Sequence, residues 1–148
     1  MPAEDLDRDV CKLVHGLART LDGHVRRVAD AMGLTPSQVV ALRELSEPIT
    51  ARELAARMAC EASNATFVLD RLEERGLLNR HPHPTDRRAK QIVLTAEGTR
   101  RRAEALKRLG DSSPLGSLRA GQPEALRDLL RALASASEAG QESLRTNG

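Results

Sequence analysis

Apolar residues recur at Leu6, Val10, Val14, Leu17, Leu21, Val25 and Val28, a mixed three-and-four spacing that predicts one long amphipathic helix from Leu6 to about Met32. Gly33 stops it. Thr35-Pro36-Ser37-Gln38 restarts the chain as a helix, with Thr35 as cap, Pro36 at the first helical position and Gln38 completing a capping box. That helix turns Val39, Leu42 and Leu45 inward and stops before Pro48. A second capping box, Thr50 to Glu53, opens a short helix with Leu54, Ala55 and Met58 on one face. Ala65, Val68, Leu69 and Leu72 then mark the buried face of a helix from about Glu61 to Arg75, which Gly76 ends by supplying a left-handed residue. Its opposite face carries Ser63, Thr66, Phe67 and Asp70, flanked by Asn64.

After Gly76 the period changes. Leu77 and Leu78 lead into one strand, and Ala89 to Leu94, with Ile92 and Leu94 alternating inward, reads as its partner. The tip from His83 to Arg88 is longer than a tight turn and contains Pro84 and Asp86, so it projects. Thr95 caps another helix through about Leu109, and Gly110 to Pro123 is a connection rich in Gly, Ser and Pro. Glu124 to Ala136 is the last helix, with Leu126, Leu129, Leu130 and Leu133 as its stripe. The segment 139–148 is expected to fray.

The net charge of +2 hides an uneven distribution. Between Arg75 and Arg102 stand eight basic residues (Arg75, Arg80, Arg87, Arg88, Lys90, Arg100, Arg101 and Arg102) against the two acids Asp86 and Glu97, so this stretch carries +6 and the remainder −4. A capped helix followed at once by an arginine-tipped hairpin is the way a winged helix holds duplex DNA. With one Phe and no Trp or Tyr, helix formers dominate and β elements must be short. No stretch approaches the roughly 20 apolar residues of a membrane span, and the start MPAEDLDRD has neither the basic nor the apolar part of a signal peptide, so a cytoplasmic location is expected. Two cysteines, Cys11 and Cys60, are too few for a disulfide framework.

The chain resembles the MarR family of winged-helix transcriptional regulators. The resemblance is carried by Leu34 to Gln38, Leu54-Ala55, Ala62 to Thr66, Asp70 to Leu78, Thr85-Asp86-Arg87-Arg88 and Ile92 to Gly98, in that order and spacing. It implies a mainly α (α+β) fold: a single domain over 1–148, with an N-terminal dimerisation helix at 1–34, a winged helix-turn-helix lobe at 35–95 and C-terminal dimerisation helices at 96–138. It also implies a homodimer whose first and last two helices interlock, each subunit offering one recognition helix (about 61–75) to the major groove and one wing (about 79–94) to the minor groove of a pseudo-palindromic operator. The implied DNA-facing residues are Ser37, Thr50, Arg52, Ala62, Ser63, Asn64, Thr66, Phe67, Arg71, Arg80, Asp86, Arg87, Arg88 and Lys90.

The chemistry of these residues agrees with that role. Ser63, Asn64 and Thr66 are short polar side chains near a helix start, where they reach base edges or act as caps. Phe67 stands opposite the core stripe, where its ring either touches a thymine methyl or folds back on the wing or the third helix. In the wing, a carboxylate two residues before an arginine can orient a guanidinium. The family pattern makes Asp86 that acid and Arg88 the minor-groove arginine, with Arg87, Arg80 and Lys90 on phosphates.

Other chemistry is thinly represented. Cys11 lies 24 residues before Thr35, where the peroxide-sensing branch of the family places its reactive cysteine, but the tyrosines of that branch are absent, and His15, one turn on, could lower the thiol pKa only if protonated. It reads either as a redox sensor or as a small helix-face residue, and Cys60 reads as core. Cys11 with His15, and His81 with His83 on one side of a strand, are pairs without third and fourth metal ligands, and the histidines otherwise read as surface or interface groups. No nucleophile motif, phosphate loop or hydrolase signature is present, so neither an enzyme nor a cofactor is expected. Some family members bind small aromatic acids, yet no effector can be named for a chain so poor in aromatics. A winged-helix module using its basic wing for protein contact, and a redox-responsive regulator using Cys11, are the alternatives.

Overall fold

The computed structural model describes residues 2–146. The chain divides into two compact units, Met1–Ser113 and Pro114–Gly148. The first contains α1 (Ala3–Met32), α2 (Pro36–Glu44), β1 (Ile49–Thr50), α3 (Ala51–Met58), α4 (Ala62–Glu74), β2 (Leu78–Pro82), β3 (Lys90–Leu94) and α5 (Ala96–Asp111). The second holds a short 3-10 helix, Pro114–Ser117, and α6 (Gln122–Thr146).

The helix boundaries follow from local chemistry. Gly33, at φ 65°, ends α1. Thr35 Oγ1 accepts the Gln38 amide at 3.2 Å while Gln38 Oε1 accepts the Thr35 amide at 3.0 Å, closing the capping box of α2. Thr50 and Glu53 repeat the device at α3, at 3.1 and 2.8 Å. Gly76, at φ 72°, turns the chain out of α4, and the Leu77 amide bonds back to the Leu72 carbonyl at 3.0 Å.

The core lies where α1, α2, α4, α5 and the sheet meet. Leu42, Leu54, Leu69, Leu72, Leu78, Ile92 and Val39 are fully buried, each worth about 1.5–3 kcal/mol of apolar transfer. Val28, Ala29 and Met32 of α1 and Ala105 of α5 belong to the same cluster. The core of the expected 35–95 lobe also takes in the C-terminal end of α1 and, from α5, Ala105 with the partly buried Leu109. The unit boundary falls in the Gly/Ser/Pro-rich connection, which buries nothing large.

Two further departures concern local order. A strand not expected from the sequence, β1, joins the hairpin to make a sheet of order β1-β3-β2, with Ile49 opposite Ile92 and Thr50 opposite Gln91. Two residues show no alternation, so the strand exists only because β3 offers it an edge. The expected end of the last helix at Ala136 does not hold, since α6 runs to Thr146; residues 147 and 148 lie outside the described residues. Gly140 costs a helix interior only about 1 kcal/mol relative to Ala, and Gln141, Glu142, Leu144 and Arg145 are good helix formers.

Arginines bind the helix ends to one another. Arg75 Nη1 donates to the Gly33 carbonyl at 2.9 Å, Arg101 Nη2 donates to the Met32 carbonyl, and Arg102 Nη2 donates to the Arg43 carbonyl at 3.2 Å. Carbonyls left over at the C-terminal ends of α1 and α2 are thus satisfied by cations, which the helix dipole also favours. Arg101 and Arg108 both reach Glu104; burial pushes its carboxyl up, and the hydrogen bonds and charges of the two arginines outweigh this and hold it below the ordinary range. His24 is buried rather than a surface group, its Nε2 2.8 Å from the Leu109 carbonyl, so it ties α1 to the end of α5.

Ala59 ends α3 at φ 51°, ψ 45°, a left-handed conformation that its Cβ makes costly. Glycine is free of that penalty but loses more chain entropy on folding. Ala59→Gly is expected to stabilise the protein by about 0.5–1 kcal/mol, read as a higher urea midpoint at unchanged slope. A lower midpoint would show that the left-handed residue is not strained.

Candidate nucleic-acid interface

The interface begins with α4, whose inward face is Ala65, Val68, Leu69 and Leu72. Burying those four positions leaves Ala62, Ser63, Asn64, Thr66, Phe67, Asp70 and Arg71 exposed along the other side. No side chain caps the start of α4, where Glu61 is the N-cap residue, so its first amides remain available to an oxyanion. Ser63 and Asn64 are accordingly exposed and make no cap. Thr66 Oγ1 donates to its own helix, at the Ala62 carbonyl 3.0 Å away, which leaves the oxygen lone pairs and the methyl group outward.

Phe67 does not fold back on the wing. The residue is 61% exposed, and the Arg71 guanidinium lies over its ring at 5.1 Å from the centroid. Arg71 also pairs with Glu74 at 3.0 Å. A hollow of about 390 Å³ beside them is lined by Thr35, Ser37, Gln38, Phe67, Val68 and Arg71, which brings the start of α2 next to the exposed face of α4. Thr50 caps α3 and pairs with β3 in the sheet, and Arg52 stands exposed in the first turn of α3.

The wing is held by three devices, two of which differ from the expected ones. Arg80, at β2, donates to Asp70 at 2.7 Å and to Glu73 at 3.0 Å, so it clamps the hairpin to α4 rather than standing free for a phosphate. Its partners are both acids of α4, and only 20% of its side chain is exposed. Asp86 Oδ1 accepts the backbone amide of Arg88 at 3.0 Å, so the carboxylate sets the turn that carries Arg88 rather than gripping its guanidinium. The third device was not expected: His83 Nδ1 accepts the amides of Thr85 at 3.2 Å and Asp86 at 3.0 Å, which requires its proton on Nε2. The motif His-Pro-Thr-Asp carries that signal, because a histidine two and three residues before free amides can cap a turn.

The basic cluster therefore sorts into two sets. Arg75, Arg101 and Arg102 serve helix ends, Arg80 serves α4, and Arg100 pairs with Glu97. Among the described residues, the side chains of Arg87, Arg88 and Lys90 enter no ion pair and are exposed at the hairpin tip and the start of β3. Elsewhere, Cys11 is exposed on α1, and Cys60 is only partly buried, beside Val25, Val40 and Met58 in a cleft between α1, α2 and α3, rather than in the core. No group of three His, Cys, Asp or Glu suited to a metal ion occurs among the described residues. Among the described residues, no helix is long and apolar enough to cross a membrane.

Two helices, α3 and α4, joined by a tight turn at Ala59 and followed by an antiparallel hairpin with a cationic tip, define a winged helix-turn-helix protein. The MarR family model matches residues 34–90. The transcriptional regulator HosA of Escherichia coli is 30% identical over 131 residues, covering 84% of this chain and 96% of that protein. Two Bacillus subtilis relatives, one the transcriptional repressor MdtR, are matched over only 64% and 63% of their own length. Among solved structures, a MarR-family transcriptional regulator from Rhodococcus sp. RHA1 superposes with a TM-score of 0.74 at 29% identity, covering 87% of this chain and 94% of that one. CouR from Rhodococcus jostii RHA1, solved bound to p-coumaroyl-CoA, gives 0.77 at 30% identity with the same coverage. The chain belongs to the MarR family, whose members are transcriptional regulators and not enzymes.

Proposed function

We propose that the protein is a homodimeric repressor that binds a pseudo-palindromic DNA operator, with α4 in the major groove and the hairpin tip in the minor groove. The observation that carries this reading is the sorting of the basic cluster. Four of its eight cations tie separate elements together and Arg100 pairs with Glu97 along α5, whereas Arg87, Arg88 and Lys90 are unpaired on a hairpin clamped to α4. Exposed unpaired cations gathered beside a polar helix face fit a phosphate backbone. A groove then meets Ser63, Asn64, Thr66, Phe67 and Arg71 on the same side.

Dimerisation rests on apolar surface. Leu6, Val10, Leu13 and Val14 of α1 are exposed, as are Leu129, Leu130 and Leu133 of α6, and stripes of that length are normally buried in an interface. The same reading gives each half of a palindrome one α4 and one wing. The cleft between α1, α2 and α3 is a candidate place for a small-molecule effector, in keeping with the ligand-bound state of CouR.

The test is equilibrium binding to the promoter beside its own gene and to a scrambled duplex, with sedimentation at the same concentrations. A dimer with preference for the promoter of at least roughly a thousandfold is expected. Equal binding to both duplexes, or a folded monomer at micromolar concentration, refutes the reading.

A further inference from the structure

We propose that Phe67 and Arg71 act as one reading unit that selects a guanine with a thymine as its stacked neighbour, the thymine being recognised by its methyl group. The inference rests on the reading of α4 as the major-groove helix. Phe67 is the one aromatic residue of the chain, and it lies on the exposed side of α4, one helical turn before Arg71. Arg71 is held from two sides, by the ring at 5.1 Å and by the Glu74 carboxylate at 3.0 Å. A long side chain fixed in this way gives up its rotamer freedom before DNA arrives, and its planar donor fork keeps one direction.

The acid next to Arg71 in sequence is already engaged. Asp70, one residue from Arg71, is bound to Arg80 at 2.7 Å, so it does not draw the guanidinium away from the groove. In the major groove a fixed guanidinium fork matches the O6 and N7 acceptors of guanine. A ring stacked on that guanidinium then occupies the layer of the adjacent base pair. There the one apolar feature on a base edge is the C5 methyl of thymine. The hollow lined by Thr35, Ser37, Gln38 and Val68 leaves the ring unpacked on the α2 side, so a methyl group can meet it without displacing any part of the protein.

The experiment selects bound sequences from a randomised duplex pool and then edits the selected operator atom by atom. Replacing thymine by deoxyuridine removes only the methyl group, and replacing guanine by 7-deazaguanine removes only N7. Next to one required guanine in each half-site, the uracil change is expected to weaken binding about three- to fivefold per half-site, the weight of one buried methyl group. The deaza change at that guanine is expected to cost roughly tenfold. Phe67→Ala should erase the uracil effect and shrink the deaza effect, while Phe67→Leu, apolar but unable to stack, should retain part of the former and shrink the latter to the same extent. Indifference to uracil at every thymine beside a required guanine overturns the inference alone, as does a Phe67→Ala protein with the full uracil penalty. A pool that yields no selected sequence overturns the DNA-binding reading, and this inference with it.

Discussion

Gly98→Ala is expected to destabilise the protein by about 3 kcal/mol or more, the upper range for forcing an atom into filled space. A Cβ at this position would stand 1.8 Å from the Leu77 carbonyl oxygen and 2.8 Å from its carbon, closer than any real side chain approaches backbone. The crowding has a structural origin. Thr95 starts α5 by donating its amide to the Leu77 carbonyl at 3.1 Å and its hydroxyl to the Gly76 carbonyl at 2.7 Å, and the same hydroxyl oxygen accepts the Gly98 amide at 3.0 Å. The first turn of α5 is thereby drawn onto the junction between α4 and β2. An alanine would push that junction apart, and its helix propensity gain of about 1 kcal/mol offsets only part of the loss. Gly110, also in α5, has nothing within 4 Å of its Cβ position, so Gly110→Ala is the matched control and should be neutral or stabilising. Urea unfolding of the two variants separates packing from propensity. A Gly98→Ala midpoint equal to that of Gly110→Ala would remove the close approach as a requirement of the fold.

Loss of the wing cations is expected to have the largest effect on DNA binding. Arg88→Ala should weaken operator and scrambled duplex alike by roughly tenfold per wing, about a hundredfold for a dimer, which is the scale of one charge-assisted hydrogen bond removed from each subunit. The minor groove distinguishes little beyond A·T from G·C, so discrimination between the two duplexes should change little. The salt dependence should fall by about one unit of slope for each phosphate that is no longer neutralised. Asp86→Ala should do part of the same damage, because the carboxylate holds the Arg88 amide at 3.0 Å and so sets the turn on which Arg88 is carried. In contrast, Asn64→Ala should erode preference for the operator by roughly 1–3 kcal/mol while sparing non-specific affinity. A salt titration of these variants on both duplexes decides the matter. Unchanged affinity and slope for Arg88→Ala would mean that the wing does not touch DNA, and a protein-contact role for the hairpin would take the lead.

Residue by residue, the sequence was most informative where structure depends on near neighbours. The capping boxes at Thr35 and Thr50, the left-handed Gly33 and Gly76, and the four buried positions of α4 are all set within one or two helical turns, and each stands where the spacing places it. The exposed polar side of α4 follows from the same periodicity, since fixing Ala65, Val68, Leu69 and Leu72 inward leaves Ser63, Asn64, Thr66 and Phe67 outward. Local reading failed at the helix tail and at His24. The last helix, expected to end at Ala136, runs to Thr146, and His24, expected as a surface or interface group, is buried.

The chain's own pattern of apolar spacing, caps and turn residues was sufficient to define the helices, the hairpin and the polar face of α4, because those features are decided by interactions a few residues apart. Which arginines are free was settled only by packing. Arg75, Arg80 and Arg102 reach partners 42, 10 and 59 residues away in the chain, so no local window distinguishes them from Arg87 and Arg88. The edge strand β1, the seat of Gly98 against Leu77 and the bond from His24 to Leu109 have the same origin. A partner supplied from a distant segment leaves no periodic trace near the residue it satisfies, and it becomes visible only when the folded core brings the two together.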